Sequence, residues 1–143
     1  MECEFPTVNE KSDEIRKIFE EVKTIAVIGL SPKPEKDSHK VAKYLQNVGY
    51  KIIPVYPKEE TILGEKVYRS LSEVKERVDM VDMFRKPSIA DSLVDEIAKR
   101  DDVNVLWLQK GIVNNAAAKR AKDMGVKVVQ NRCSMVEHRA NFS

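Results

Sequence analysis

Glycine is scarce in this chain of 143 residues: there are five, and the loop best placed to approach a phosphate holds one of them. A dinucleotide site usually carries Gly-x-Gly-x-x-Gly directly after its first strand, so the ordinary NAD fingerprint is excluded. Cysteine is scarcer still. Cys3 and Cys133 have no metal-ligand spacing and make no disulfide framework, which fits a reducing compartment. No 18-residue apolar span and no apolar N-terminal stretch occur, so the chain reads as cytoplasmic, with no membrane partner. Charge of one sign is also lacking. The 25 basic and 23 acidic residues are interspersed and leave a net charge of +2, without the basic footprint of a nucleic-acid binder. Repeats and low-complexity stretches are absent. The two histidines, His39 and His138, have no nucleophile or carboxylate at useful spacing; both read as surface residues, and no metal constellation is visible.

What is present is an alternation of strands and helices in a length that suits one domain, 1–143, with residues 1–12 as a mobile N-terminal segment. Asn9 is a candidate cap for an amphipathic helix in which Ile15, Ile18, Phe19 and Val22 recur at helical spacing. Five apolar runs then read as buried parallel strands: 24–29, 50–56, 78–84, 104–108 and 126–129. Pro54 cannot donate to a ladder, so the second strand is expected to lie at an edge or to stop near this proline. Helices are predicted near 38–48, over 88–100 and after Asn114 or Asn115, either of which can cap. The face Ala117, Ala118 and Ala121 suits close packing on a sheet. Ser134 and Glu137 form a Ser-x-x-Glu capping-box pattern for a last helix. Right-handed crossovers then give an α/β Rossmann-like three-layer sandwich with a five-stranded parallel sheet. The expected strand order is 3-2-1-4-5, with a crevice between the first and fourth strands.

An open parallel sheet binds ligands outside the carboxyl ends of its strands, and the least ordinary residues of this chain fall there. Gly29-Leu30-Ser31 ends the first strand and Tyr56-Pro57-Lys58 the second. Phe84-Arg85-Lys86, Gln109-Lys110-Gly111 and Asn131-Arg132-Cys133 end the others. Ser31, Lys33 and Ser38 are candidate donors to a pyrophosphate at a helix N-terminus, while Ser38 or Asp37 can equally serve as a cap. NAD sites place an acidic residue at the end of the second strand. Lys58 instead suits a ribose that carries its own phosphate, as in NADP or coenzyme A, although lysine is often simply solvated. Arg85 matches phosphate geometry. Phe84 can flank adenine or belong to the core, and Trp107 reads as core. Gly111 permits either a close backbone approach or a positive φ.

These blocks carry a resemblance. VIGLSPKPEKDSHKVAKYLQNVGYKIIPVYPK, ILGEKVYRSL, VDMVDMFRKP and WLQKGIVNNAAAKRAKDMGVKVVQNRC, within about residues 14–140, resemble the stand-alone coenzyme A-binding domain family. That family is similar to the N-terminal domain of the succinyl-CoA synthetase α subunit. The resemblance implies coenzyme A at the strand ends. It places Gly29, Leu30, Ser31 and Lys33 at the phosphates, and Val55, Tyr56 and Lys58 at the ribose phosphate and adenine. Phe84, Arg85 and Pro87 match the third-strand block, and Gln109 and Gly111 the block beside the pantetheine arm. Tyr56 stands where the family often has asparagine. The synthetase's phosphohistidine segment has no counterpart, so ligase activity is not implied.

Three functional classes follow. The first is a coenzyme A-binding module that senses, carries or buffers the cofactor, with a protein partner or a homo-oligomer as its setting. The second is an enzyme: an NADP-linked reductase, or a thiol-disulfide exchanger using Cys133. The third is a subunit whose ligand edge is vestigial. Cys133 would lie just before a helix N-terminus and beside Arg132, two features that lower a thiol's pKa, although a half-buried cysteine is commonly inert.

Overall fold

The computed structural model describes residues 5–142; Cys3 and the first part of the expected mobile segment lie outside them. Apolar runs become strands because each is covered on both sides. Within β1 (Thr24–Ile28), Ile25 and Val27 face one layer of helices while Ala26 and Ile28 face the other. The first layer holds α1 (Ser12–Glu21), α2 (Asp37–Asn47) and α5 (Ser134–Phe142). The second holds α3 (Ile89–Ala98), α4 (Asn115–Asp123) and a 3₁₀ turn at Leu71–Glu73. Ala117, Ala118 and Ala121 are fully buried, so α4 packs closely, as expected.

The sheet comprises β1, β2 (Lys51–Val55), β5 (Met80–Met83), β6 (Val105–Leu108) and β7 (Lys127–Val129), all parallel; β3 (Thr61–Ile62) and β4 (Glu65–Lys66) form a separate antiparallel pair. The fold class is the expected one. The spatial order is β2-β1-β5-β6-β7, which is 2-1-3-4-5 for the five sheet strands in chain order, where 3-2-1-4-5 was expected. Two local causes account for the difference. Asp79 accepts the Lys23 and Thr24 N–H groups at 2.9 and 3.0 Å, which docks the start of β5 against the start of β1. Pro54 sits inside β2 with its carbonyl turned outward to the Tyr68 N–H at 2.9 Å, so the missing donor faces the edge rather than a neighbouring strand. A third strand could not complete a ladder there. The direction of winding therefore reverses between β1 and β5.

Both margins of the sheet are occupied. Tyr68 exchanges hydrogen bonds with Pro54 and Tyr56 along β2. On β7, Glu10 N–H reaches the Val128 carbonyl at 3.0 Å, and the Asn9 amide bonds Gln130 through both its oxygen and its nitrogen. Residues 7–10, expected to be a mobile tail, are thus tied to the outer strand. Asn9 does not cap α1, because its side chain is committed to Gln130; Lys11 holds the cap position without a side-chain bond.

Candidate functional site

Two clefts open at the carboxyl ends of β1 and β5, beside the point where the winding reverses, and Gly29 borders both. The larger, about 660 Å³, has a polar wall and an apolar wall. Ser31, Lys36, Asp37, Ser38 and Lys40, from the β1–α2 connection and the first turns of α2, form the polar one. Ile112, Cys133, Met135 and Val136 form the apolar one, with Phe84, Gln109 and Lys110 between them. The smaller, about 150 Å³, is a slot between Val55, Tyr56 and Pro57 on one side and Leu71, Ile89 and Leu93 on the other, with Arg69 and Arg85 at its rim. Gly29 and Tyr56 border both.

Gly29 is required at this junction. Its φ is +85°, and a Cβ would lie 2.8 Å from Arg85 Cδ, so the Arg85 side chain crosses directly over the glycine. The loop beyond it is knotted by its own hydroxyls. Ser31 N–H donates to Ser38 Oγ at 3.0 Å, Lys33 N–H to Ser31 Oγ at 3.1 Å, and His39 Nδ1 to the Ser31 carbonyl at 2.9 Å. Ser38 therefore caps nothing; Lys36 occupies the cap position of α2, without a side-chain bond to the first turn. His39, read as a surface residue, holds the loop.

The expected residues divide. Gly29, Ser31, Ser38, Tyr56, Phe84 and Gln109 meet around the larger cleft, and Val55 and Arg85 join Gly29 and Tyr56 at the smaller one. Leu30 is fully buried in the core. Lys33, Lys58, Pro87 and Gly111 line neither cleft. Lys58 is exposed on the turn after Pro57, and its carbonyl is held by Arg69 at 2.8 Å. The Pro87 carbonyl accepts from Asn114, and the Gly111 N–H bonds Asn131 Oδ1 at 2.7 Å with φ of +88°. Gly111 thus serves the backbone reversal. Trp107 is core, as expected, and donates its indole N–H to the Arg132 carbonyl at 2.8 Å.

The larger cleft holds three cations, Lys36, Lys40 and Lys110; the first two were not singled out from the sequence, and Lys110 was named only as part of a strand end. Among the described residues none of them is in an ion pair, whereas Lys17, Lys51, Lys119 and Lys127 all are. A helical reading of 37–47 carries the missed signal, since it puts Lys36 and Lys40 one turn apart beside Ser31. Arg69 was also missed. It clamps the β2 turn through the Tyr56 and Lys58 carbonyls at 3.0 and 2.8 Å.

The expected capping box does not form. Ser134 is the first residue of α5, and its hydroxyl donates to Asp82 Oδ2 at 2.9 Å instead of capping; Glu137 pairs with Arg132 at 3.7 Å. Cys133 directly precedes the helix and faces the cleft at intermediate exposure. Asp82 is wholly buried on β5, and burial pushes its carboxyl up to about 7 against the opposing bonds from Gln109 and Ser134. His138 is buried rather than exposed. Its Nδ1 is hydrogen-bonded to the Tyr44 hydroxyl at 2.7 Å, and burial lowers its pKa.

A doubly wound sheet with a cleft of about 660 Å³ beside the winding reversal defines a class of α/β ligand-binding domain. Within that class, this chain belongs to the CoA binding domain family, whose pattern matches residues 23–139. It is 38% identical over 130 residues to the uncharacterized protein YneT of Bacillus subtilis, covering 91% of this chain and 96% of that protein. A hypothetical protein from Pyrococcus horikoshii superposes with a TM-score of 0.90 at 38% identity, each chain covered in full. The ADP-forming acetate–CoA ligase I of Archaeoglobus fulgidus is 28% identical over 120 residues, which are 78% of this chain and 18% of the ligase. Among the described residues, no helix is long and apolar enough to cross a membrane.

Proposed function

We propose that the protein binds coenzyme A across the two clefts, as a cytoplasmic sensor, carrier or buffer of the cofactor without ligase chemistry. The carrying observation is the trio Lys36, Lys40 and Lys110, unpaired cations on one cleft at the carboxyl edge of a parallel sheet. Lysines that lack a carboxylate partner beside a helix N-terminus favour a polyanion such as a pyrophosphate. The narrow apolar slot beyond Gly29 suits the flat adenine, with Lys58 on the adjoining turn near the ribose phosphate. The apolar wall by α5 suits the uncharged pantetheine arm.

Calorimetry tests this reading. Coenzyme A is expected to bind the wild type, and Lys40→Ala and Lys110→Ala each to weaken it about 10–150-fold, the range of one charge-assisted bond. 3′-Dephospho-coenzyme A is expected to bind more weakly by a similar factor. A wild type that ignores millimolar coenzyme A refutes the assignment, and equal affinity for the dephospho form refutes the part given to Lys58.

A second reading is favoured by Cys133, which borders the same cleft. Its thiolate would attack oxidised coenzyme A, forming a Cys133–coenzyme A disulfide and releasing one coenzyme A thiolate; a second thiol would reverse the step. Intact-mass measurement after incubation with coenzyme A disulfide should show one adduct that reductant removes and Cys133→Ser never acquires. A wild type left unmodified excludes the exchanger.

A further inference from the structure

β5 carries one side chain at odds with its place in the fold. Asp82 lies in the middle strand of a sheet covered on both faces, flanked by Met80, Val81 and Met83. Its oxygens accept from Gln109 Nε2 at 2.5 Å and Ser134 Oγ at 2.9 Å. Gln109 Nε2 also reaches Ser134 Oγ at 2.7 Å, and Ser134 N–H reaches Gln109 Oε1 at 3.3 Å. All these donors are neutral. A buried carboxylate held in this way is costly unless it takes a proton, and a proton on Asp82 has a ready acceptor, since the Ser134 hydroxyl can accept as well as donate. Both partners lead to the larger cleft: Gln109 lines it, and Ser134 opens the helix whose Cys133, Met135 and Val136 form its apolar wall.

We propose that Asp82 is a proton-linked positioning residue: its ionisation sets how the entry of α5 is held against the cleft, and its proton occupancy changes when an anion enters. The coupling to ligand rests on the anion site proposed above. An anion near a buried carboxylate disfavours the charged form, so binding draws a proton onto Asp82 and affinity rises as pH falls. Carboxyl titration near 7 brings that exchange into the physiological range. The cross-strand neighbours of Asp82, Val27 on β1 and Trp107 on β6, are not titratable. From α5 come Cys133, the Arg132–Glu137 pair just at its start, and His138, which is held by Tyr44 of α2. His39 of α2 is bonded to Ser31, and Lys36, Asp37, Lys40 and Lys110 stand around the cleft. A phosphate monoester with its second pKa of about 6 releases protons on meeting cations, which is the opposite sign.

Trp107 is the sole tryptophan, and its bond to the Arg132 carbonyl makes its emission a reporter of the α5 entry. Wild-type emission should titrate with a midpoint near neutrality. Asp82→Asn should abolish that titration, His39→Gln and His138→Gln should preserve it, and Ser134→Ala, which removes a bond favouring the carboxylate, should move the midpoint to higher pH. In calorimetry at pH 7, in buffers of different ionisation enthalpy, coenzyme A binding to the wild type should take up a fraction of a proton. Its affinity should drop several-fold from pH 6 to pH 8, and Asp82→Asn should show neither effect. Emission titration that survives Asp82→Asn, or, should that variant not fold, a midpoint unmoved by Ser134→Ala, overturns the positioning role. Net proton release on binding, or none exchanged, overturns the coupling. Failure of the wild type to bind coenzyme A refutes the nucleotide assignment instead, and the fluorescence series still decides the role of Asp82.

Discussion

At the scale of single residues, the junction between the clefts depends on one hydrogen atom. Gly29→Ala places a methyl group in a left-handed backbone conformation and against Arg85 Cδ. Because the arginine is flexible, the backbone carries most of the cost, about 1–2 kcal/mol, and Arg85 is pushed from the slot. Chemical denaturation should register the loss, and a variant as stable as the wild type would contradict the conformational argument. Residue identity was legible where chemistry and chain position coincide: Gly29, Ser31, Tyr56 and Phe84 all border a cleft. It was misleading where a side chain had a nearer task. Ser38 serves Ser31 and Ser134 serves Asp82, because a short hydroxyl bonds whatever polar atom the packed fold brings within reach. Asp82 itself left a trace, since an aspartate inside a strand with helices on both sides has no solvent to face.

At the scale of elements, α5 and α4 make opposite uses of their first turns. In α4 the Asn114 side chain caps conventionally, accepting from the Ala117 N–H at 3.0 Å while donating to the Pro87 carbonyl at 2.9 Å. Asn114→Ala should cost about 1 kcal/mol in a thermal or denaturant melt, and a neutral result would deny the cap any weight. For α5, the buried carboxyl of Asp82 sets a pH dependence of stability. Its folded pKa stands above the unfolded one, so its contribution is full below the usual carboxylate range and is lost as pH climbs to about 7. Wild type should therefore lose stability relative to Asp82→Asn at up to about 1.4 kcal/mol per pH unit across that interval. Parallel pH curves for the two proteins would contradict it. Strands were readable from their β-branched runs, and helices from their periodicity. Caps were less so, because Asn9 and Asn114 look alike in sequence and only the packed fold decides which one faces a helix end.

At the scale of the whole molecule, two carboxylates oppose Asp82. Burial raises Asp79 and Asp102, but Arg77 and the Lys23 and Thr24 N–H groups for the first, and Arg100 and the Val78 N–H for the second, outweigh it and leave both pKa values lowered. Their contribution is present above the usual carboxylate range and is lost as acid brings the pH down through the lowered values. Replacing Asp102 with Asn should flatten the acid limb of the stability curve, measured between pH 2 and 5. An unchanged limb would argue against it. The three-layer class was plain from strand–helix alternation, but strand order was not. It turned on a carboxylate joining β5 to β1 and on the face of Pro54, neither of which a hydrophobic pattern encodes.

The occupied margins of the sheet bear on what the chain does in company. Among the described residues, Asn9 and Glu10 take up the outer groups of β7 and Tyr68 those at the end of β2, so strand-to-strand recruitment of a second molecule is blocked along β7. Trimming the first eleven residues would uncover Val128 and Gln130 as an adhesive selvedge. Light scattering of the trimmed chain should then report concentration-dependent clumping that the intact protein does not show.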